Sequence, residues 1–210
     1  MNCRVVLFME KIDFKKELKH LYRPTTKRID IVDVPEMNFL MIDGKGNPNT
    51  AKEYSDAIEA LYSVSYTLKF MVKKRLNINY GVLPLEGLWW ADDMTHFVSG
   101  KKDEWTWTAM IMQPEYVTKE YFDKALGMVK EKKDLTALSK IRFSSFKEGL
   151  SAQTMYIGQY ADEGPTIQEI HSFIKKTGHE LRGRHHEIYL SDPRRSKPEK
   201  LKTVIRQPIQ

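Results

Sequence analysis

The chain almost lacks cysteine: Cys3 is the single one among 210 residues. It can close no internal disulfide and supply no thiolate zinc cluster, so a reducing compartment is expected. Long apolar runs are missing too. Val5–Met9 is far shorter than the ~18 to 20 apolar residues of a membrane span, and no small-residue cleavage site follows it. The expectation is a cytoplasmic protein with no membrane segment. Gly44-Lys-Gly46 lacks the further glycines and the Lys-Ser/Thr of a phosphate loop, and no Gly-x-Ser-x-Gly elbow occurs. Low-complexity segments are absent.

What is present is globular: 41% hydrophobic and 11% aromatic residues, with four Trp, ten Tyr and nine Phe to be buried. One domain is expected at this length. The 34 basic and 28 acidic side chains leave a formal charge of +6. The excess gathers near the two ends, from Lys11 to Arg28 and from Arg194 to Arg206, without a helix-turn-helix or finger motif. A solvated surface is the expectation, and DNA binding is not.

Residues 1–27 read as an N-terminal arm with a short helix over Asp13–Leu21, ended before Pro24. Two β-like runs follow, Ile29–Val34 and Met37–Asp43, with a turn at Pro35 between them. A long helix is predicted from Thr50, opened by the capping box Thr50-Ala-Lys-Glu53, with Ala57, Ile58, Leu61, Val64, Leu68 and Met71 as its apolar stripe. Strands are predicted over Leu83–Ala91 and Trp105–Met112, with a polar connector, Asp92–Lys102, between them. A helix from Thr118 links to β-like runs at Ile141–Phe146 and Ser151–Tyr160. A helix over Pro165–Lys176 and strands at His186–Leu190 and Leu201–Gln207 close the chain.

These elements repeat. Thr50-Ala-Lys-Glu53 returns as Thr166-Ile-Gln-Glu169, Glu86–Asp92 as His186–Asp192, and Met112-Gln-Pro114 as Arg206-Gln-Pro208. Two strand-helix-strand-strand halves, about 28–114 and 141–208, are implied within a domain of residues 28–210. The expected fold class is α+β: duplicated modules forming one sheet with helices on one face and a ligand cleft on the other. Alternation assigns Ile188 and Leu190 to the helix, and Glu187 and Tyr189 to the cleft. Through the repeat Tyr189 corresponds to Trp89 and Glu187 to Gly87. Trp90 would then be core, with Trp107 joining Trp89 in the cleft and Tyr156, Gly158 and Tyr160 sharing one side of their strand. His185 and His186 beside Glu187 suggest a metal, but neighbouring strand residues point to opposite faces, so no metal site and no cofactor are expected.

The string His185-His-Glu187-Ile-Tyr-Leu-Ser-Asp-Pro-Arg-Arg195 and its continuation Glu199–Pro208 resemble the closing motif of GyrI-like small-molecule-binding domain proteins. Tyr156-Ile-Gly158, Tyr160–Ile170, Asp13–Leu18, Tyr22-Arg-Pro24 and Leu85-Glu-Gly-Leu-Trp-Trp90 fit the same family. The resemblance implies the duplicated fold of multidrug-responsive regulators, with Glu187 at the position that contacts cationic or planar ligands. It further implies, for stand-alone two-Trp members, hydrolysis of cyclopropane-bearing DNA alkylators of the duocarmycin and yatakemycin type. Only a short arm precedes the domain, which disfavours a regulator. An unpaired carboxylate among aromatic rings is suited to proton transfer, so Glu187 is the expected general base. A tyrosine hydroxyl, with Tyr156 the candidate, would donate to the carbonyl that gains electrons. Trp89, Trp107, Tyr189, Tyr160 and Glu187 are the expected contacts for a planar small-molecule partner. The alternative is a non-catalytic small-molecule-binding or gyrase-inhibitor-like interaction module.

Overall fold

A computed structural model of the protein describes residues 10–92 and 101–210. Cys3, the Val5–Met9 run and most of the Asp92–Lys102 connector lie outside the described residues. The chain runs β1 (Glu10–Ile12), α1 (Phe14–Glu17), α2 (Lys19–Tyr22), β2 (Asp30–Lys45), α3 (Lys52–Leu76), β3 (Ile78–Tyr80), β4 (Leu85–Trp90), β5 (Thr106–Gln113), α4 (Lys119–Lys130), β6 (Arg142–Ile157), α5 (Gly164–Lys176), β7 (His185–Tyr189) and β8 (Lys202–Pro208). None of the described helices is long and apolar enough to cross a membrane.

The architecture is α+β, with strand-helix-strand-strand modules β2-α3-β4-β5 and β6-α5-β7-β8 and the helices on one side of a large antiparallel sheet. The strand order is β2-β5-β4-β7-β8-β6, and the sheet closes on itself because β2 also pairs with β6, from Asp30 opposite Gln153 to Met41 opposite Arg142. Closure leaves the barrel without an unpaired edge. β4 and β7 meet antiparallel with Gly87 opposite Glu187. β4 pairs Glu86 with Met110 of β5, and β7 pairs His186 with Arg206 of β8, so the position equivalent to Arg206 is Met110, two residues before the Met112 of the motif match.

Several local expectations change. No turn forms at Pro35. Both β-like runs of each module merge into one 16-residue strand, and Pro35 falls between the pairs Val34–Gly149 and Glu36–Lys147. There the missing proline N–H costs no ladder bond, and the left-handed Gly149 (φ +76°) bends β6 opposite it. The two capping boxes are not used either: α3 starts at Lys52 after an Ala51 cap without a side-chain bond, and Thr166 lies inside α5, which opens on Gly164-Pro165. The third signature does cap, with the Thr118 hydroxyl accepting from the Tyr121 N–H at 3.4 Å. The Asp13–Leu21 helix is broken into two single turns, α1 and α2.

The arm is packed against the barrel. Leu21 and Tyr22 are buried, and their anchor is a cluster of side chains about 1% exposed. Tyr22 donates to Glu86 (2.8 Å), whose other oxygen pairs with His186 Nε2 (3.0 Å). His186 Nδ1 lies 2.9 Å from Glu148, which also accepts from Arg206 (2.9 Å). Arg206 donates further to Gln153 and to the Leu21 carbonyl. Glu148 and Gln153, of opposite parity, reach the same guanidinium because Gly149 breaks the strand's alternation between them.

Burial works against the charged form of both His186 and Glu148, but their mutual attraction wins. Glu148 and Glu86 hold the imidazole up at about 9, while His186 and Arg206 hold the Glu148 carboxyl down at about 2. The Glu148 contribution to stability is therefore complete above the ordinary carboxyl range and is lost as pH falls from about 4.5 to 2. The His186 contribution is complete below about 6.5 and is lost as pH rises to 9. Glu148→Gln is expected to cost about 3–5 kcal/mol in urea melts at pH 7, because it leaves buried cations uncompensated. It should also remove most of the acid limb; a variant with unchanged stability would contradict this role.

Candidate functional site

Directly paired strand residues share a face, which fixes what lies around Glu187. It pairs with Gly87 and with Ile205, and Ile205 packs beneath Ile170 and Ile174 of α5. One ladder step along, Trp89 pairs with Trp107, and Tyr54 of α3 packs on both indoles, 5.6 Å from Trp89 and 4.9 Å from Trp107 between ring centroids. Glu187, Tyr189 and Trp89 thus lie on the face that carries the helices. Ile188, expected beneath the helix, is buried on the opposite side with His186 and Val204. The cleft consequently opens between α3 and the start of α5, because the two helices stand apart over the β4–β7 seam and leave its residues uncovered.

The cleft measures about 1250 Å³. That is larger than a typical drug-sized site of roughly 300–1,000 Å³. Its floor is Trp89, Glu187 and Tyr189. One wall is a ridge of α3 at four-residue spacing, Tyr54, Ile58, Tyr62, Tyr66 and Phe70, and the other is Tyr160 and Glu163, with Trp105 and Lys102 at the mouth. The floor is wired: the Trp89 indole N–H donates to the Tyr189 hydroxyl (3.0 Å), which donates to Glu187 Oε2 (2.8 Å), while His185 Nε2 lies 3.1 Å from Oε1. Gly87 makes this possible, since a Cβ there would sit 2.6 Å from the Trp89 indole nitrogen. Glu187 is therefore partnered, with its side chain 13% exposed, where the sequence suggests an unpaired carboxylate.

The aromatic assignments divide. Trp89 and Tyr189 line the cleft together. Tyr160 joins them from the turn after β6, its ring edge-on to Tyr189 at 5.4 Å, and not from the strand itself. Trp107 does not reach the cleft: it is wholly buried beneath Tyr54 and lies over Gly44, where a Cβ would overlap the indole. Trp105, at the same strand end, takes the lining position, 5.8 Å from Trp89. Tyr156 shares the face of Thr203 and Tyr189 but turns back over Gly158, and its hydroxyl donates to the Gln159 carbonyl, so it forms no part of the cleft wall. Trp90 is half-buried under the Arg184 guanidinium, 3.5 Å from the ring centroid, and not in the core. His185 and Glu187 share a face while His186 points away, and no metal-binding group of three His, Cys, Asp or Glu exists among the described residues.

Sequence reasoning missed Glu163. It occupies the N-cap position of α5, is 3% exposed and lines the cleft, and its Oε1 has no hydrogen-bond partner among the described residues. Burial, and then the charge of Glu187, push its carboxyl up to about 9 against the opposing pull of Thr203 and Lys102. Glu163 is thus held in its protonated form at neutral pH. Burial and the same two acids raise Tyr160 to about 12, and burial with Glu187 raises Tyr189 well above its ordinary value. No local sequence signal marks Glu163. The α3 ridge had one, its four-residue aromatic spacing, hidden beside the apolar stripe that packs on the sheet.

Relatives share this arrangement's fold. An uncharacterized conserved protein from Listeria innocua is 40% identical, with a TM-score of 0.85 over 95% of this chain and 100% of that one. A hydrolase from Listeria innocua is likewise 40% identical, with a TM-score of 0.82 over 95% and 100%. The C-terminal domain of EcmrR, 12% identical with a TM-score of 0.54 over 87% of this chain and 97% of that one, shares the fold alone. No curated protein matches the sequence. Residues 27–210 match the GyrI-like small molecule binding domain, and the chain belongs to that family.

Proposed function

We propose that the cleft binds planar hydrophobic or cationic small molecules and hydrolyses those that carry an electrophilic cyclopropane. The observation that supports this reading best is the pair of carboxyl groups on an aromatic cleft: Glu187 accepts from Tyr189, and Glu163 is buried with an oxygen that no described group satisfies. Environments that push two carboxyl groups apart in this way divide them into base and acid. A similar protein from Listeria innocua is a hydrolase.

In this mechanism the planar ligand stacks against Trp89 and the α3 ridge. Glu187 takes a proton from a water as its oxygen bonds to the cyclopropane methylene. The ring C–C bond breaks, and its electron pair passes through the conjugated system to the carbonyl oxygen, which takes the proton of Glu163 and becomes a hydroxyl. One water has been added, and the proton on Glu187 returns to Glu163 through solvent. Glu163 thus takes the donor role first expected of Tyr156. General acid–base catalysis supplies about 10²–10⁴-fold per group.

Three outcomes test this. Wild type should open a duocarmycin-type cyclopropane faster than buffer, and Glu187→Gln should be slower by about 100-fold or more. If wild type is no faster than buffer, the enzyme reading fails and a binding module remains. The rate should fall as pH rises through about 9, where Glu163 loses its proton, and Glu163→Gln should lack that limb. A planar dye should quench tryptophan fluorescence, with most of the change lost in Trp89→Phe; no quenching in wild type would remove the cleft reading altogether.

A further inference from the structure

The carboxyl pair has a consequence for which ligands the cleft admits, one that rests on the binding reading above but not on catalysis. Glu163 is almost wholly buried on the cleft wall, with an oxygen that no group among the described residues satisfies. The groups facing it are Glu187 and Tyr189 from β7, Tyr160 from the adjoining turn, Tyr156 from β6, Thr203 from β8 and Lys102 at the mouth, and Glu187 in turn faces Tyr54 of α3 and His185, 3.1 Å away. Lys102 is the permanent cation among these described groups, and its ammonium also lies over the Trp105 ring, 5.4 Å from the centroid. Two carboxylates lining one aromatic cavity repel each other, and a positive charge between them relieves that repulsion.

We propose that Glu163 and Glu187 form a proton-exchange pair, in which a planar monocation entering the cleft takes the place of the one proton the pair holds. The cation lies against the accessible cleft rings, Tyr62 and Tyr66 of α3 and Tyr160, which favour it electrostatically, and its charge allows Glu163 to ionise. The proton leaves to solvent. Neutral planar ligands stack on the same rings and leave the proton in place. Cations therefore compete with neutral electrophiles and at the same time remove the acid that the hydrolysis uses.

Linkage makes this measurable. Release of one proton per cation raises affinity about tenfold per pH unit, up to the pH at which Glu163 ionises unaided. The probes are N-methylphenanthridinium, a permanent cation, and phenanthridine, its neutral counterpart near pH 7. Calorimetric titration of the full chain at pH 7 in phosphate and in Tris should give, from the buffer dependence of the enthalpy, about one proton released per cation and none for the neutral ligand. Between pH 6 and 8 the cation's affinity should rise about 100-fold while that of phenanthridine stays level. Glu163→Gln, isosteric with the protonated acid, should flatten the cation's pH dependence and keep phenanthridine binding. Cation binding without proton release, or a variant that releases as many protons as wild type, overturns the exchange and leaves the cleft reading standing. If neither probe binds, both fall.

Discussion

The register of the β4–β7 seam governs the rest of the molecule. Gly87 opposite Glu187 is the pair at which the two modules meet, each strand lying against its own counterpart. A period-two strand shows alternate residues to opposite faces, so this one pairing decides two chemistries. His185, Glu187 and Tyr189 go to the helix-bearing face, and His186 and Ile188 go to the other. A slip of one residue would bury Glu187 among Ile188's neighbours and turn His186 out of its ion cluster.

The two faces support one another. Behind the seam, His186, Glu86, Glu148 and Arg206 form a closed set of opposite charges that also holds Tyr22 and the Leu21 carbonyl. Such a cluster contributes little net stability compared with apolar packing, but breaking any part of it is costly, so it penalises wrong registers. In front, the cleft holds Glu187, bonded by Tyr189 and His185, and the buried Glu163 on its wall. The cost of that arrangement is borne by a scaffold whose barrel strands have no free edge and whose arm is pinned from behind.

Much of this was legible in the sequence, for identifiable reasons. Module order, helix α4 with its Thr118 cap, and the correspondence of Gly87 with Glu187 follow from local patterns that tertiary packing does not override. The placement of the cleft opposite the helices failed because Ile188 and Leu190 look like a helix-facing pair, whereas the opposite face of the closed sheet is just as dry and needs apolar residues of its own. Trp107 was misplaced by the same ambiguity: alternation gives the correct face, but Tyr54 stands over the indole and Trp105 reaches the opening instead. Trp90 shows that a tryptophan on a strand can pack on the edge of the core and be covered on its outer side by a cation, Arg184. Glu163 had no pattern to reveal it. Its importance arises from Glu187, far away in sequence, and from burial that only the folded chain produces.

The most direct measurement is a crystal structure of the protein soaked with a planar cationic dye such as ethidium. The account requires the ring system between α3 and the turn at Tyr160, stacked near Trp89 and Tyr54, with its positive charge within about 4–6 Å of the Glu187 carboxylate. Dye seated on the opposite side of the sheet, or only between copies of the molecule with the cleft empty, would contradict it.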